Sequence, residues 1–427
     1  MTSNHRIVRT IIALVLVIVT TFSTTSCMFL SPEFFEGFFD ENYGDYGDYG
    51  NFGDEFGNPE TEKPDGNQSG NQTGDQSDNQ TPEFYPETGS DDVDSVPVLQ
   101  QTLLSTVLII STFKLGAGAG SGVIYQIDKE KGDAYIITNQ HVVYDKNGPA
   151  SEIKVYLYGM VLETYAITAK YIGGSTNYDI AVLKIEGSEI LKNSYSKAAS
   201  LGKSSEVCIF DTVYAVGNPE ASGFSATQGI ISVRSENLEL EGADGSIITP
   251  RVMRVDAAVN HGNSGGGLYD DQGRLIGIVS AKTQGDDVDN MGYAIPIDLA
   301  KNITENIIYH CDGVNSIKMN RALLGITISA KVIGVIIDKN GNLAERAKVE
   351  VTDVSASSLA SSSVKVGDIV NSISVDGVSV EATEVYVIPE HMLNARVGSE
   401  IIMNITRGGE TYDIKFTITS NAITLEN

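Results

Sequence analysis

Gly262-Asn-Ser-Gly-Gly-Gly-Leu268 is the stretch on which the reading of this chain turns. A serine bracketed by glycines lets the backbone bend sharply and approach a ligand. In such a bend the amides of Gly262 and Ser264 can converge on one point. That arrangement suits the oxyanion of a tetrahedral intermediate. Alone, the stretch says little, because Gly/Ser loops are common. Two others change its weight. Thr138-Asn-Gln-His-Val-Val143 puts a histidine at the end of an apolar strand, and Asn177-Tyr-Asp-Ile-Ala-Val-Leu183 puts an aspartate before another. A serine hydroxyl is a poor nucleophile until a base takes its proton, and neutral histidine does so near pH 7. The histidine in turn needs a carboxylate to fix its tautomer and stabilise the imidazolium. The chain supplies His141, Asp179 and Ser264, in that order.

The surrounding residues, about 98–311, read as β-rich. Short β-branched runs such as Gly122–Ile127, Ala134–Thr138, Ile153–Tyr158, Ile180–Ile185, Thr212–Val216 and Leu275–Val279 recur between Gly, Asn and Asp. Closely spaced strands with few helical stretches predict an all-β barrel or sandwich. One helix is predicted over Asp298–Tyr309, where Leu299, Ile303, Ile307 and Ile308 recur at helical spacing.

His…Asp…Ser is the chain order of the chymotrypsin-like double β-barrel. The three stretches, together with Gly120–Ile124, Ala215–Pro219, Thr227–Ser232, Leu275–Ile278 and Gly292–Pro296, resemble the HtrA/DegP family of trypsin-like serine proteases. The resemblance implies His141 as general base and then acid, Asp179 as its orienting carboxylate, and Ser264 as the nucleophile that is acylated. It implies an oxyanion hole at Gly262, Asn263 and Ser264. It also implies a substrate-binding strand at Ile278, Val279, Ser280 and Ala281, with the Ser280 hydroxyl supporting Asp179. No acid lies within Ile278–Lys282, so the expected side chain before the cut is small or medium aliphatic rather than basic. Three positions depart from the family pattern. His261 and Gly267 stand where proline is common, and His261 is expected to face solvent or the substrate rim. Asn263 replaces the acid that zymogens pair with a freed N-terminus, so control by loop ordering is expected instead of activation by clipping.

Residues of about 319–424 form a second β-rich module with Asp-Gly and Gly-Gly turns. Its blocks resemble a PDZ domain, which binds a peptide by adding it as a strand to a sheet edge beside a helix. The resemblance assigns the peptide's terminal carboxylate to the amides of Leu324, Gly325 and Ile326. The groove helix is expected over Glu384–Arg396, starting late or kinked because Pro389 lies within it.

The N-terminus carries Arg6 and Arg9 and the apolar run Ile11–Val19, then a Ser/Thr-rich stretch to Cys27. This is the pattern of an export signal over 1–27. Thr25-Ser26-Cys27 resembles the end of a bacterial lipobox with Cys27 lipidated, although Thr24 stands where an aliphatic is usual. An uncleaved anchor over Thr10–Leu30 is the rival reading. Either one predicts an exported protein tethered to the outer face of a membrane. A tether over 28–97 follows. Residues 31–97 hold 18 acids and one base, Lys63, in low-complexity sequence that cannot offset the entropy of ordering. The aromatic-glycine spacing there (Tyr43, Tyr46, Tyr49, Phe52, Phe56) leaves a cell-wall-binding segment open.

The net charge of −27 argues against a nucleic-acid partner, which needs a basic face. No metal site is predicted, because the three cysteines contain no CxxC and the acidic repeat lacks calcium-loop spacing. No cofactor is expected. Cys208 reads as part of an apolar strand, and a Cys208–Cys311 disulfide is left open. The function expected is endoproteolysis of misfolded or unfolded exported chains, with peptide C-termini recognised by the PDZ domain. The family resemblance adds a homotrimer with contacts from Val98–Phe113. The rivals are a non-cleaving chaperone or scaffold, and a cell-wall-binding lipoprotein with an inert barrel.

Overall fold

The computed structural model describes residues 93–426 except 219–222, 281–290, 312–316 and 338–340. The export signal, Cys27, nearly all of the tether and Ala281 lie outside the described residues. The tether's last residues do take a shape, a 3-10 turn over Val93–Ser95. Short helical turns at Val98–Gln101 and Thr102–Ser105 lead into the first strand, Thr106–Phe113.

The fold is mostly β and trypsin-like, as the sequence implies. An eight-stranded sheet takes most of its strands from before Thr212, and six of the strands between Thr212–Gly217 and Gly292–Pro296 close into a barrel. The strands of the first sheet are buried on most positions because their runs are continuously apolar. Val107, Leu108, Ile109, Ile136, Ile137, Val182 and Leu183 are fully buried. Each such aliphatic side chain contributes roughly 1.5–3 kcal/mol of transfer free energy. The strand Gly116–Asp128 carries glycines at alternate positions and so has one face without side chains. The Val142 methyls and the Ser264 carbonyl close onto that face at Gly120, and the Ile109 and Ile136 side chains do so at Gly122.

The predicted helix runs over Ile297–His310, with Leu299, Ile303 and Ile307 buried. It packs on the strands Lys170–Ser175, Ile180–Ile185 and Leu275–Ser280 and so bridges the first sheet and the barrel. Cys208 is not in a strand. It lies in the loop after the turn Ser204–Glu206, because Asp211 Oδ2 accepts its amide at 2.7 Å and closes the chain there. Cys208 and Cys311 both remain thiols.

A second β unit follows with its own core, which includes Val349, Val351, Ile373, Ile401, Met403 and Ile405. The strand Ile326–Ile337 is the edge of its sheet. The expected groove helix is short, Val387–His391, continued by a 3-10 turn Met392–Asn394. Pro389 falls in its first turn, where a missing amide costs nothing. The chain then folds back. Ile423–Leu425 pairs antiparallel with Asn320–Ala322, at the junction of the two units.

Candidate active site

The strand Asp133–Thr138 ends at Asn139, and one turn of helix, Gln140–Val143, carries His141. The histidine therefore sits just beyond the strand rather than in it. Asp179 lies in the turn before the strand Ile180–Ile185, with φ at 53°. A non-glycine residue rarely adopts this left-handed conformation and does so at a cost, most often at functional sites. Both side chains are buried, His141 at 4% and Asp179 at 1% exposed.

The carboxylate grips the histidine twice. Asp179 Oδ2 lies 2.8 Å and Oδ1 3.0 Å from His141 Nδ1, and Oδ1 accepts the His141 backbone amide at 3.1 Å. An ionised carboxylate only accepts, so Nδ1 carries the proton and Nε2 keeps its lone pair. Asn139 adds a support that the sequence did not suggest. Its Nδ2 donates to the Asp179 carbonyl at 3.0 Å.

Ser264 is buried at the tip of its glycine turn. Close approaches hold that turn against the glycine-rich strand Gly116–Asp128. The Ser264 carbonyl accepts the Ser121 amide at 2.8 Å. A Cβ at Gly120 would lie 2.7 Å from the Val142 methyls and 3.2 Å from the Ser264 carbonyl, so only glycine lets both neighbours close in. Gly265, at φ 85°, would drive a Cβ into the Ser121 carbonyl and the Thr138 hydroxyl. The turn is also laced to the strand Leu275–Ser280. Gly265 donates to the Val279 carbonyl at 2.9 Å, and Val279 donates to Gly266 at 2.8 Å.

Ser121 is the second residue that sequence reasoning missed. Its hydroxyl donates to the Gly262 carbonyl at 2.7 Å and accepts the Asn218 amide at 2.8 Å. Its carbonyl accepts the Thr138 hydroxyl at 2.7 Å. The Gly262 carbonyl is thereby pinned to the strand Gly116–Asp128. No backbone carbonyl among the described residues engages the Gly262 amide.

Two expectations need correction. The Asn263 amide donates to the Asn260 carbonyl at 3.1 Å, closing its own turn, so it is not available to an oxyanion. That leaves the Gly262 and Ser264 amides as the candidates. Ser280 does not support Asp179 either, since its buried Oγ finds no hydrogen-bond partner among the described residues. Ile278, Val279 and Ser280 are otherwise buried in the strand beside the serine turn, and His261 is exposed. Leu324, Gly325 and Ile326 lie in the second unit, at the start of its edge strand, with Gly325 at φ 76°.

Comparison with known proteins identifies the family. Residues 120–278 match the trypsin-like peptidase domain. Serine protease Do-like HtrB of Bacillus subtilis is 31% identical over 356 residues, covering 77% of this chain and 71% of that protein. The chain belongs to the HtrA family of trypsin-like serine endopeptidases. Serine protease Do-like HtrA of the same organism is 39% identical over 194 residues, although the match spans only 40% of its length. Among solved structures, the HtrA-type protease AlgW with tripeptide is 26% identical with a TM-score of 0.51, covering 77% of this chain and 96% of that one.

Proposed function

We propose that this HtrA-family chain cuts unfolded or misfolded exported polypeptides through His141, Asp179 and Ser264. The observation that carries the reading is the Asp179 carboxylate on His141 Nδ1 at 2.8 Å, beside a glycine-bracketed serine. His141 Nε2 takes the Ser264 proton as Oγ attacks the peptide carbonyl. Asp179 holds the imidazolium, and the Gly262 and Ser264 amides receive the oxyanion. The leaving amine takes the proton from Nε2. Water, activated by the same nitrogen, then hydrolyses the acyl-enzyme.

Export is supported by the basic and apolar N-terminal pattern. It is also supported by 31% identity over 291 residues to a probable periplasmic serine endoprotease, DegP-like, of Bartonella henselae, a match covering 51% of that protein. The second unit, read as a PDZ domain, takes peptide C-termini at Leu324, Gly325 and Ile326, because its strand Ile326–Ile337 is a free sheet edge for strand addition. A membrane tether at Cys27 and a homotrimer through Val98–Phe113 complete the reading. The test is degradation of an unfolded casein-like substrate by the full chain and by Ser264→Ala, with and without a hydrophobic C-terminal peptide. Cleavage by the parent only, stimulated by peptide, is expected. Equal activity of the variant would sink the assignment.

A further inference from the structure

The turn that holds Asp179 is not closed by its own lobe alone. Ser175 ends the strand Lys170–Ser175, and the residues Thr176 to Asp179 bend the chain back into the next strand. Asp179 donates its amide to the Thr176 carbonyl at 3.2 Å, and Tyr178 donates to the Ser175 hydroxyl at 3.2 Å. The remaining donors turn outward to a residue far away in sequence. Glu426 Oε1 accepts the Ser175 hydroxyl at 2.7 Å and the Asn177 amide at 3.1 Å. Glu426 arrives there from the second unit, at the end of the strand Ile423–Leu425, and its own amide donates to the Met319 carbonyl at 2.9 Å.

We propose that Glu426 is a positioning residue for Asp179, so that the second unit supplies part of the support of the catalytic acid. The inference rests on the reading of Asp179 as catalytic. Three observations favour it over simple anchoring of the last strand. First, the bonds go to a turn that holds an aspartate in the left-handed conformation, which among the described non-glycine residues only Phe210 and Asp376 share. The amides at 177, 178 and 179 each have a fixed acceptor, and Glu426 is the acceptor for the first. Second, Glu426 is 5% exposed, and its other oxygen, Oε2, has no hydrogen-bond partner among the described residues. A buried carboxylate satisfied on one side is a poor stabilising device. Burial pushes its proton affinity up, and the Ser175 and Asn177 bonds only partly oppose this. Third, the strand itself is already anchored by its pairing with Asn320–Ala322, so the side chain is not needed to hold it.

The test compares the full chain with Glu426→Ala and Glu426→Gln on a short chromogenic peptide that occupies only the cleft. It also follows the low-field proton resonance of His141 Nδ1–H, which reports the bond to Asp179 without any turnover. Glu426→Ala is expected to lower kcat at least about 10-fold, with KM within about twofold, and to broaden or abolish the resonance. Glu426→Gln keeps an oxygen at the Oε1 position, and it is expected to recover most of kcat and the resonance. If Glu426→Ala does not fold, Ser175→Ala carries the test, with the same loss of kcat at constant KM expected. An unchanged kcat and resonance in Glu426→Ala would overturn the proposal. So would a change in KM alone, which would place Glu426 in substrate binding. An Asp179→Asn variant as active as the parent would overturn the catalytic reading beneath it, and this is distinguishable because it does not involve Glu426.

Discussion

Ser121 shows how much of this site depends on a side chain with no chemistry of its own. Its hydroxyl joins the Gly262 carbonyl to the Asn218 amide, and its backbone joins Ser264 to Thr138. Ser121→Ala leaves the Asn218 amide buried without an acceptor and releases the Gly262 peptide. Loss of a buried partner costs about 1–3 kcal/mol. We expect that loss in urea unfolding, together with a fall in kcat, because the Gly262 amide, proposed as an oxyanion donor, is then free to rotate. An unchanged kcat would show that the hydroxyl does not orient the hole. The candidates His141, Asp179 and Ser264 could be picked from the sequence because each lies in a short stretch whose residue types suggest a role. Ser121, Asn139 and Glu426 could not, because their partners are far along the chain and only folding brings them together. Asn263 misled for a related reason. Which way an amide points is decided by the closure of its turn on Asn260, and residue type does not encode that.

At the scale of elements, the helix Ile297–His310 is the part that joins the two units. Its apolar face was readable from the spacing of Leu299, Ile303 and Ile307, and its polar face was not. Asn302 Nδ2 donates to the Glu390 carbonyl at 3.0 Å. Asn306 Nδ2 donates to the carbonyls of Asn320 and Leu393, each at 2.9 Å. Next to it, the barrel strand Arg251–Val255 sends Arg251 into a two-pronged pair with Glu390, at 2.5 and 2.6 Å. The Tyr386 ring lies 3.9 Å from the guanidinium. Breaking a buried pair by removing one partner strands a charge and costs about 3–5 kcal/mol. Glu390→Ala is therefore expected to separate thermal unfolding into two transitions, followed by calorimetry. A single transition at the parental Tm would show that the pair does not couple the units. The short helix bearing Glu390 was foreseen to start late because of Pro389, and it does.

For the whole molecule, acid sensitivity follows from how the second unit is tied together. Burial pushes the Asp368 carboxyl up, but the fork from Arg407, with both bonds at 2.6 Å, outweighs it and leaves the group below the usual range. A carboxyl depressed in the folded state adds stability that is complete above its unfolded value, about 3.9. That stability is lost as pH falls through the lower folded value. The chain should therefore lose stability below about pH 4, read by circular dichroism in urea because it has no tryptophan. Asp368→Asn should flatten part of that decline, and an identical profile in the variant would contradict the assignment. The β-rich class and the helix Ile297–His310 were legible from periodicity, although not what the helix packs against. The return of the last strand to the junction of the units was not, since its three residues carry no pattern that names a partner.

The account's central claim is that His141, held by Asp179, activates Ser264. The most direct measurement is covalent labelling of the full chain with a fluorophosphonate, with the modified residue mapped by mass spectrometry. The account predicts a single adduct on the Ser264 hydroxyl, formed by the parent and lost in His141→Ala. An adduct on another residue, or equal labelling of Ser264 without His141, would contradict it.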